Sequence, residues 1–400
     1  MKSILTQIAT AVALSVATLI SVSYSKPALG ANLAFDTGRP VPLILDDDGS
    51  QDGLIALAYM LQNPKFDVKA ITISQGIARP QLFSNNLMRA FTRLGITGIP
   101  VGVGSENPLA GDNRYPELFR VDSDNFYSPF VPPLTETALE TVEQRDAAQL
   151  IIDTIKQSPD PVAILATGSL TNIAEALRRD PSIVSNVAAL EVMGGAVFTE
   201  GNLNFHTDPI LAQNAVSEFN IWVDPVAAQE VFSSGLPVFL TPLDATNNTL
   251  FTAADRDAWR DAGTPESLLA AQLMDYSFAF ISGGEQNPTQ VWDLVAAINL
   301  SEPNFANEVL LPLRVDTTSN PSIAQGQTFV DNSLTPNVYV SLNPSFNNLP
   351  FKSSEIFSAQ AVAVPEASTI LGLLAVGGGF VTLKRTKAIC STLKRNKHYV

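Results

Sequence analysis

Four carboxylates fall within seven positions, Asp46, Asp47, Asp48 and Asp52, in the stretch Leu-Ile-Leu-Asp-Asp-Asp-Gly-Ser-Gln-Asp-Gly-Leu-Ile-Ala-Leu at residues 43–57. The apolar run Val41–Leu45 reads as a buried strand that delivers Asp46, Asp47 and Asp48 to its carboxyl end. Gly49 and Ser50 then turn the chain, and Asp52 opens an amphipathic helix running to about Leu61. Carboxylates crowded in this way repel one another unless a cation or a bound ligand offsets the charge. The carboxyl ends of strands in open α/β sheets are also where ligands bind. The plain alternative for the segment is a helix N-cap with solvated acids beside it.

Three further stretches carry residues of the same kind. Ala166-Thr167-Gly168-Ser169-Leu170-Thr171-Asn172 ends one strand and opens a helix, where a main-chain carbonyl could face a cation. Met193-Gly194-Gly195-Ala196 ends another, with Gly201-Asn202 beyond it and Glu218-Phe219-Asn220 entering the next element. Trp292-Asp293 begins a late helix. Capping explains Asp293 alone, and tight packing explains the paired glycines alone. Their common placement at strand-to-helix junctions on one rim is what gives them weight.

Alternating elements must position these residues. Strand-like Val41–Asp46, Val68–Ser74, Pro100–Val103, Val162–Thr167, Ala188–Met193, Phe219–Val223 and Val238–Thr241 are interleaved with helical patterns. Those patterns cover Asp52–Leu61, about Pro80–Leu94, Ala138–Gln157, Thr171–Arg179 and Pro225–Phe232, with later helices around Glu266–Ile281 and Trp292–Leu300. The alternation predicts an α/β fold, a mainly parallel, Rossmann-like open sheet with helices on both faces. Segment 307–349, with β-like Leu311–Val315 and Asn337–Val340, supplies the last strands. The long polar and aromatic stretches Ser105–Thr135 and Gly201–Ser217 read as loops at the rim, of the sort that closes over a substrate.

The two ends carry addresses. Lys2, the apolar run Ile8–Val22 and the small residues up to Ala31 have the layout of a secretory signal over residues 1–31. At the other end Val364-Pro365-Glu366-Ala367-Ser368 precedes an apolar, glycine-rich run to Leu383 and six basic residues. That order resembles the bacterial PEP-CTERM sorting tail, with Ala367 where the usual motif has a second Pro. The resemblance implies an exosortase-type partner and an exported, periplasmic or cell-surface protein, transiently or stably membrane-anchored. The expected organisation is a signal (1–31), a catalytic domain (32–350), a linker (351–366) and a tail (367–400).

Eight of the 24 Lys and Arg lie in these ends, leaving 16 against 39 acids, a balance near −23. Such a surface disfavours nucleic acid as a partner and suits a divalent cation. The one cysteine, Cys390, lies in the tail, so the domain has no thiol for metal or nucleophilic work.

Taken in order, these motifs resemble the inosine-uridine nucleoside hydrolase family. Its pattern Asp-x-Asp-Pro-Gly-x-Asp-Asp, then Thr-Gly-Pro-Leu-Thr-Asn, Met-Gly-Gly, Gly-Asn, Glu-Phe-Asn, Asp-Pro-x-Ala-Ala and a late Asp appears here at Asp46–Asp52, Thr167–Asn172, Met193–Gly195, Gly201–Asn202, Glu218–Asn220, Asp224–Ala228 and Asp293. The resemblance spans about residues 40–350. It implies hydrolysis of the N-glycosidic bond of ribonucleosides for nucleoside salvage, with Ca²⁺ held by Asp48, the Thr167 carbonyl and Asp293. Asp52 joins this metal set and also meets a ribose hydroxyl. Calcium suits such oxygen-only ligands. Asp48 is then the general base toward water, and Asn202, Glu218 and Asn220 clamp the sugar, while Asp46 and Asp47 stand behind as orienting residues. Main-chain binding at Thr167 implies that Thr167→Val is mild. Trp292 replaces the histidine that many members carry and implies a purine preference through ring stacking, with Phe119, Phe126 and Tyr127 as candidates for the opposite side. His206, in an inserted loop, is the only imidazole in the domain. A homo-oligomer is compatible with the family.

Three departures qualify the resemblance. Gly53 stands where the family has the second Asp of its pair, a calcium ligand, and Asp47 or a shift of Asp52 is the available compensation. Ile77 stands where the family has an Asn. Extra residues between Asn202 and Glu218 let Asn214 compete with Asn202 for the sugar. The alternative function is a nucleoside- or ribose-binding protein of the same fold with impaired turnover. An aspartyl-nucleophile phosphatase fits badly, because Ser50 stands where that chemistry wants Thr or Val and the domain is poor in lysine.

Overall fold

The computed structural model describes residues 39–138, 145–318 and 323–358. The expected signal peptide and sorting tail lie outside them. Strands β1 (Val41–Asp47), β2 (Phe66–Ile73), β3 (Val101–Val103), β4 (Arg145–Asp146), β5 (Val162–Ala166), β6 (Val187–Met193) and β7 (Val238–Thr241) build the sheet with two late strands. Short strands β8 (Leu250–Phe251) and β9 (Thr289–Gln290) pair with each other. After β10 (Asn307–Leu311), strands β11 (Leu313–Val315) and β12 (Thr328–Val330) form a ribbon, and β13 (Val338–Leu342) returns to the sheet. The nine-stranded order is β10-β13-β7-β6-β5-β1-β2-β3-β4. Every pairing is parallel except β10 with β13 at one edge.

The order reverses at β1. The chain moves outward from β1 through β2, β3 and β4, then resumes at β5 on β1's other side. The reversal falls between the carboxyl ends of β1 and β5, the topological switch point at which open α/β sheets bind ligands. The strand ends are tied there: Thr167 N–H donates to the Asp46 carbonyl at 2.8 Å and Ser74 N–H to the Asp47 carbonyl at 2.8 Å.

Eleven helices surround the sheet among the described residues: α1 (Gln51–Gln62), α2 (Pro80–Leu94), α3 (Glu117–Asp124), α4 (Ala147–Gln157), α5 (Thr171–Arg179), α6 (Phe219–Val223), α7 (Pro225–Phe232), α8 (Leu243–Thr246), α9 (Ala253–Ala262), α10 (Pro265–Phe280) and α11 (Trp292–Ser301). Because side chains alternate along β1, Leu43 and Leu45 join the core under α1, α2, α10 and α11, whereas Ile44 joins the core under α4, α5 and α7. The same alternation sends Asp46 and Asp47 to opposite faces.

Several local expectations differ from the structure. The helix expected over 138–157 begins at Ala147, because Asp146 accepts the Gln149 N–H as an N-cap and Arg145-Asp146 pair with β3. Phe219–Val223, strand-like in composition, is helix α6, since the Glu218 carboxylate caps it through the N–H groups of Asn220 and Ile221. Pro312 divides the expected strand Leu311–Val315 between β10 and β11. Helix α3 occupies part of the long 105–135 loop, and α9 forms outside the expected helices, opened by a capping box of Thr252 and Asp255. The chain also stays on the domain past residue 350, with Ile356 and Phe357 buried and Trp259 Nε1 donating to the Ser353 carbonyl at 2.9 Å.

Candidate active site at the β1/β5 crevice

The turn after β1 is shaped by Gly49, whose φ of +82° is the left-handed conformation that favours glycine. A Cβ there would lie 2.5 Å from the Ala78 Cβ. The Gly49 carbonyl accepts from Ser123 Oγ at 2.7 Å and from Tyr127 Oη at 2.6 Å, so the 105–135 segment clamps the turn. Ser50 caps α1 by accepting the Gly53 N–H at 2.7 Å and donates to Asp293 Oδ2 at 2.6 Å. One serine therefore couples the acidic strand end to the start of α11. Asp52 Oδ2 reinforces this link by accepting the Asp293 N–H at 3.1 Å.

Asp48 is 1% exposed. Its Oδ2 accepts the Ile77 N–H at 3.0 Å, whereas its Oδ1 has no hydrogen-bond partner among the described residues. Two glycines make room for it: a Cβ on Gly76 or on Gly168 would come within 2.5 Å or 2.6 Å of the Asp48 Cβ. Residue 77 thus serves Asp48 through its main-chain N–H, a contribution that isoleucine makes as well as an asparagine would.

Asp46 Oδ1 accepts from Thr72 Oγ1 (2.5 Å) and Asn172 Nδ2 (2.8 Å) on the face opposite to Asp47. Asp47 Oδ1 accepts the Gly49 N–H at 2.8 Å, and its Oδ2 accepts Thr167 Oγ1 at 2.8 Å. Burial pushes both carboxyls up to about 7, and the charge of Asp52 adds to the shift of Asp47. Burial likewise pushes Asp48 and Asp293 well above the usual carboxylate range, helped by the charges of Asp47 and Asp52. Burial raises Asp52 and Glu218 too. The ion pairs among the described residues lie elsewhere, on the surface and around Arg79 and Arg256.

The expected sugar-binding residues stand beside this cluster. Glu218 accepts N–H groups from Gly195 (3.0 Å), Asn220 (2.9 Å) and Ile221 (3.2 Å), so it holds the Met-Gly-Gly turn against α6. Asn220 Nδ2 donates to the Met193 carbonyl at 3.2 Å and the Thr167 carbonyl at 3.4 Å. Asn202 Oδ1 accepts the Phe219 N–H at 3.0 Å.

The crevice with a buried, half-satisfied Asp48, crossed by main-chain and side-chain links from Thr167, Asn220 and Asp293, places the ordered motifs on one site. The model of the inosine-uridine preferring nucleoside hydrolase family matches residues 43–348. The chain is a member of that family. Among its relatives, the pyrimidine-specific ribonucleoside hydrolase RihA of Escherichia coli O7:K1 is 34% identical over 298 residues, which cover 73% of this chain and 88% of the relative. RihA of Salmonella typhi is 35% identical over 262 residues, 64% of this chain and 76% of its own. Of the solved structures, the purine-preferring ribonucleoside hydrolase from Gardnerella vaginalis superposes with a TM-score of 0.67 at 24% identity, covering 80% of this chain and all of that one. The inosine-uridine preferring nucleoside hydrolase from Bacillus anthracis gives 0.66 at 22% identity, covering 80% and 99%. At those identities the structures speak to the fold.

Within the family frame, the metal expectation meets a mixed answer. No group of three or more His, Cys, Asp or Glu among the described residues converges closely enough to hold a metal ion as it stands. The donor chemistry nevertheless fits a hard cation: the oxygens are carboxylate and carbonyl, the acids are buried together, and Asp48 Oδ1 has no hydrogen-bond partner among the described residues.

Several expected roles change. Thr167 does not act through its main chain alone, because its hydroxyl is a donor to the buried Asp47 carboxylate. Asn214 does not compete for the sugar; it is buried, donating to the Gln325 carbonyl at 2.9 Å and accepting the Val216 N–H at 3.2 Å. Phe126 and Tyr127 are core residues, Phe126 against Phe83 and Tyr127 under Gly49, and cannot sandwich a base. Trp292 is half-buried with Nε1 donating to Asn247 Oδ1 at 2.9 Å. His206 lies 6.2 Å from the Phe219 ring and 5.4 Å from Trp222, ring centre to ring centre, with Nδ1 accepting the Asp208 N–H.

The aromatic that sequence reasoning missed is Tyr115. Its ring stacks on Phe219 at 4.6 Å and its hydroxyl donates to Asn220 Oδ1 at 3.0 Å. Burial raises its phenol well above the usual range, and the charges of Asp48, Glu218, Asp293 and Asp52 add to the shift, which puts the ring beside the acidic cluster. It sits in a polar loop with no periodicity, and no local signal separated it from its neighbours.

Proposed function

We propose that this chain hydrolyses the N-glycosidic bond of ribonucleosides outside the cytoplasm, at the β1/β5 crevice and with Ca²⁺ as its cation. The observation that carries the reading is Asp48, whose buried Oδ1 has no hydrogen-bond partner among the described residues and whose carboxyl lies within the charge influence of Asp52, Glu218 and Asp293. A bound Ca²⁺ would be held by Asp48, Asp293 and the Thr167 carbonyl, and would supply Lewis acidity and a point of attachment for the two ribose hydroxyls. Asp48 takes the proton of the attacking water. The water oxygen bonds to the anomeric carbon as the carbon–nitrogen bond breaks, through an oxocarbenium-like transition state of the sort other glycosyl hydrolases use. The bond's electron pair leaves on the base, which takes a proton from solvent, and Asp48 returns the proton of the attacking water to solvent. Asp52, Asn202, Glu218 and Asn220 orient the sugar.

For the base, the relatives' names divide between pyrimidine-specific and purine-preferring. Trp292, at the N-terminus of α11 beside Asp293, supports a purine preference by stacking. Trp292→Ala is expected to lower inosine and guanosine turnover more than uridine turnover; equal losses remove the stacking argument.

Base release from inosine, adenosine, guanosine and uridine, before and after chelation, tests the function. Calcium-dependent turnover is expected. Gly53, a departure within the metal motif, motivates the second reading, a binding protein with impaired turnover, and tight nucleoside binding without base release in saturating calcium would establish it. Export is supported by the signal-like and PEP-CTERM-like ends. Fractionation of cells making the full chain should find the domain outside the cytoplasm, and a cytoplasmic pool of full-length protein would refute the assignment.

A further inference from the structure

Gly53 lies in the first turn of α1, where the family pattern has the second Asp of its pair. The structure shows what fills the space in front of it. A Cβ built on Gly53 would lie 2.8 Å from the Asp47 Cγ and 2.7 Å from Ser50 Oγ, with the Asp47 Oδ2 oxygen nearer still. No side chain could leave the helix there without displacing the Asp47 carboxylate. One volume, bounded by the end of β1 and the first turn of α1, therefore has two possible tenants. In this chain the tenant comes from the strand.

We propose that Asp47 supplies to the cation the carboxylate that α1 lacks at Gly53, so that the ligand has been relocated from helix to strand rather than lost. The proposal rests on the cation reading above. Asp47 is the last residue of β1, where pairing to β2 fixes its backbone. Each of its carboxylate oxygens accepts one hydrogen bond, from Gly49 N–H and Thr167 Oγ1, and a carboxylate oxygen has a second lone pair to give. The residue that holds Oδ2, Thr167, is the one whose carbonyl lies on the crevice. The next residue along the chain, Asp48, carries the buried oxygen that has no partner among the described residues.

A purely architectural Asp47 would account for the Asx-type turn at Gly49 and for the bond to Thr167, and it makes a different prediction. Asp47→Asn keeps an acceptor for Gly49 N–H and a polar partner for Thr167 but removes the charge. The experiment uses the full chain stripped of metal, with Ca²⁺ or Tb³⁺ alone and no nucleoside. Calorimetric titration gives the calcium affinity, and Tb³⁺ luminescence lifetimes in H₂O and D₂O count the waters coordinated to the ion. D47N is expected to lose calcium affinity by ~10-fold or more, since ligand charge count sets affinity, and to gain at least one coordinated water. G53D is expected to lower the metal-free melting temperature, because both carboxylates compete for one volume. D47S/G53D is expected to recover the calcium affinity to within a few-fold and to return to the wild-type water count. An unchanged water count in D47N, or a folded double variant without calcium affinity, overturns the relocation while the cation reading stands. A wild-type chain that binds neither ion at millimolar concentration overturns both.

Discussion

Asp48 combines two properties that ordinarily exclude each other, deep burial and an oxygen without a partner among the described residues. Leaving a buried carboxylate oxygen unpaired is unfavourable, and the glycines at 76 and 168 show that the backbone is shaped to keep the side chain where it is. Asp48→Asn keeps that shape and removes the proposed proton acceptor. Base release is expected to fall by roughly 10²- to 10⁴-fold, the usual worth of a positioned general base, with the near-UV spectrum unchanged. A rate within tenfold of wild type would remove Asp48 from the role. Thr167 is tested differently. Thr167→Val preserves the shape, deletes the donor to Asp47 and sets a methyl group against a buried carboxylate. It should cost about 1–3 kcal/mol, read as a lower urea midpoint, and an unshifted midpoint would return the side chain to the replaceable status that main-chain binding alone implies.

At the scale of elements, the site is a meeting of strand ends with helix starts, and one irregular segment completes it. Tyr115 precedes α3 and reaches across to α6, where its hydroxyl meets Asn220 and its ring lies on Phe219. Tyr115→Phe keeps the stack and frees the Asn220 amide to turn. The expected result is a KM several-fold higher with kcat little changed, matching one neutral hydrogen bond of about 0.5–1.5 kcal/mol; steady-state kinetics on the preferred nucleoside measures it, and a fall confined to kcat would contradict a positioning role. The legible parts of the sequence were those with strict periodicity. The β1 apolar run, α2 over Pro80–Leu94 and the acidic strand end follow from pattern alone. Helix α6 escaped because Phe-Asn-Ile-Trp-Val carries strand propensity, and a capping carboxylate overrides it. Sequence left Asp47 and a shift of Asp52 open as compensations for Gly53, and the choice between them depends on what a side chain at Gly53 would strike, a fact of three-dimensional proximity across a turn. Tyr115 escaped for a similar reason, since its partners lie about a hundred residues away.

Across the whole molecule, the sheet carries a deeply buried acid outside the candidate site, Glu191. Glu191 points from β6 into the core beneath α11, where its Oε1 accepts from Thr241 Oγ1 at 2.5 Å and both oxygens lie 3.4 Å from Asn299 Nδ2. Ser341 of β13 joins the same network through Asn299. Burial pushes the Glu191 carboxyl well above its ordinary value, and the charge of Glu308 on β10 adds to the shift. The folded state therefore holds this proton more tightly than the unfolded chain does. Its contribution to stability is complete below the unfolded value of about 4.3 and is lost progressively as the pH rises toward the raised folded value. Glu191→Gln makes the site permanently neutral and brings a donor beside Asn299 Oδ1, which has no partner among the described residues. The variant and the wild type should unfold alike at pH 4. Above that the variant should gain about 1.4 kcal/mol per pH unit until the folded carboxyl itself ionises, with nucleoside turnover unaffected because the residue lies under the sheet's core. Paired urea titrations from pH 4 to 8 measure the difference. A gap that stays constant with pH would mean that Glu191 is charged in the folded protein, and that the network of Thr241, Asn299 and Ser341 stabilises an anion inside the sheet.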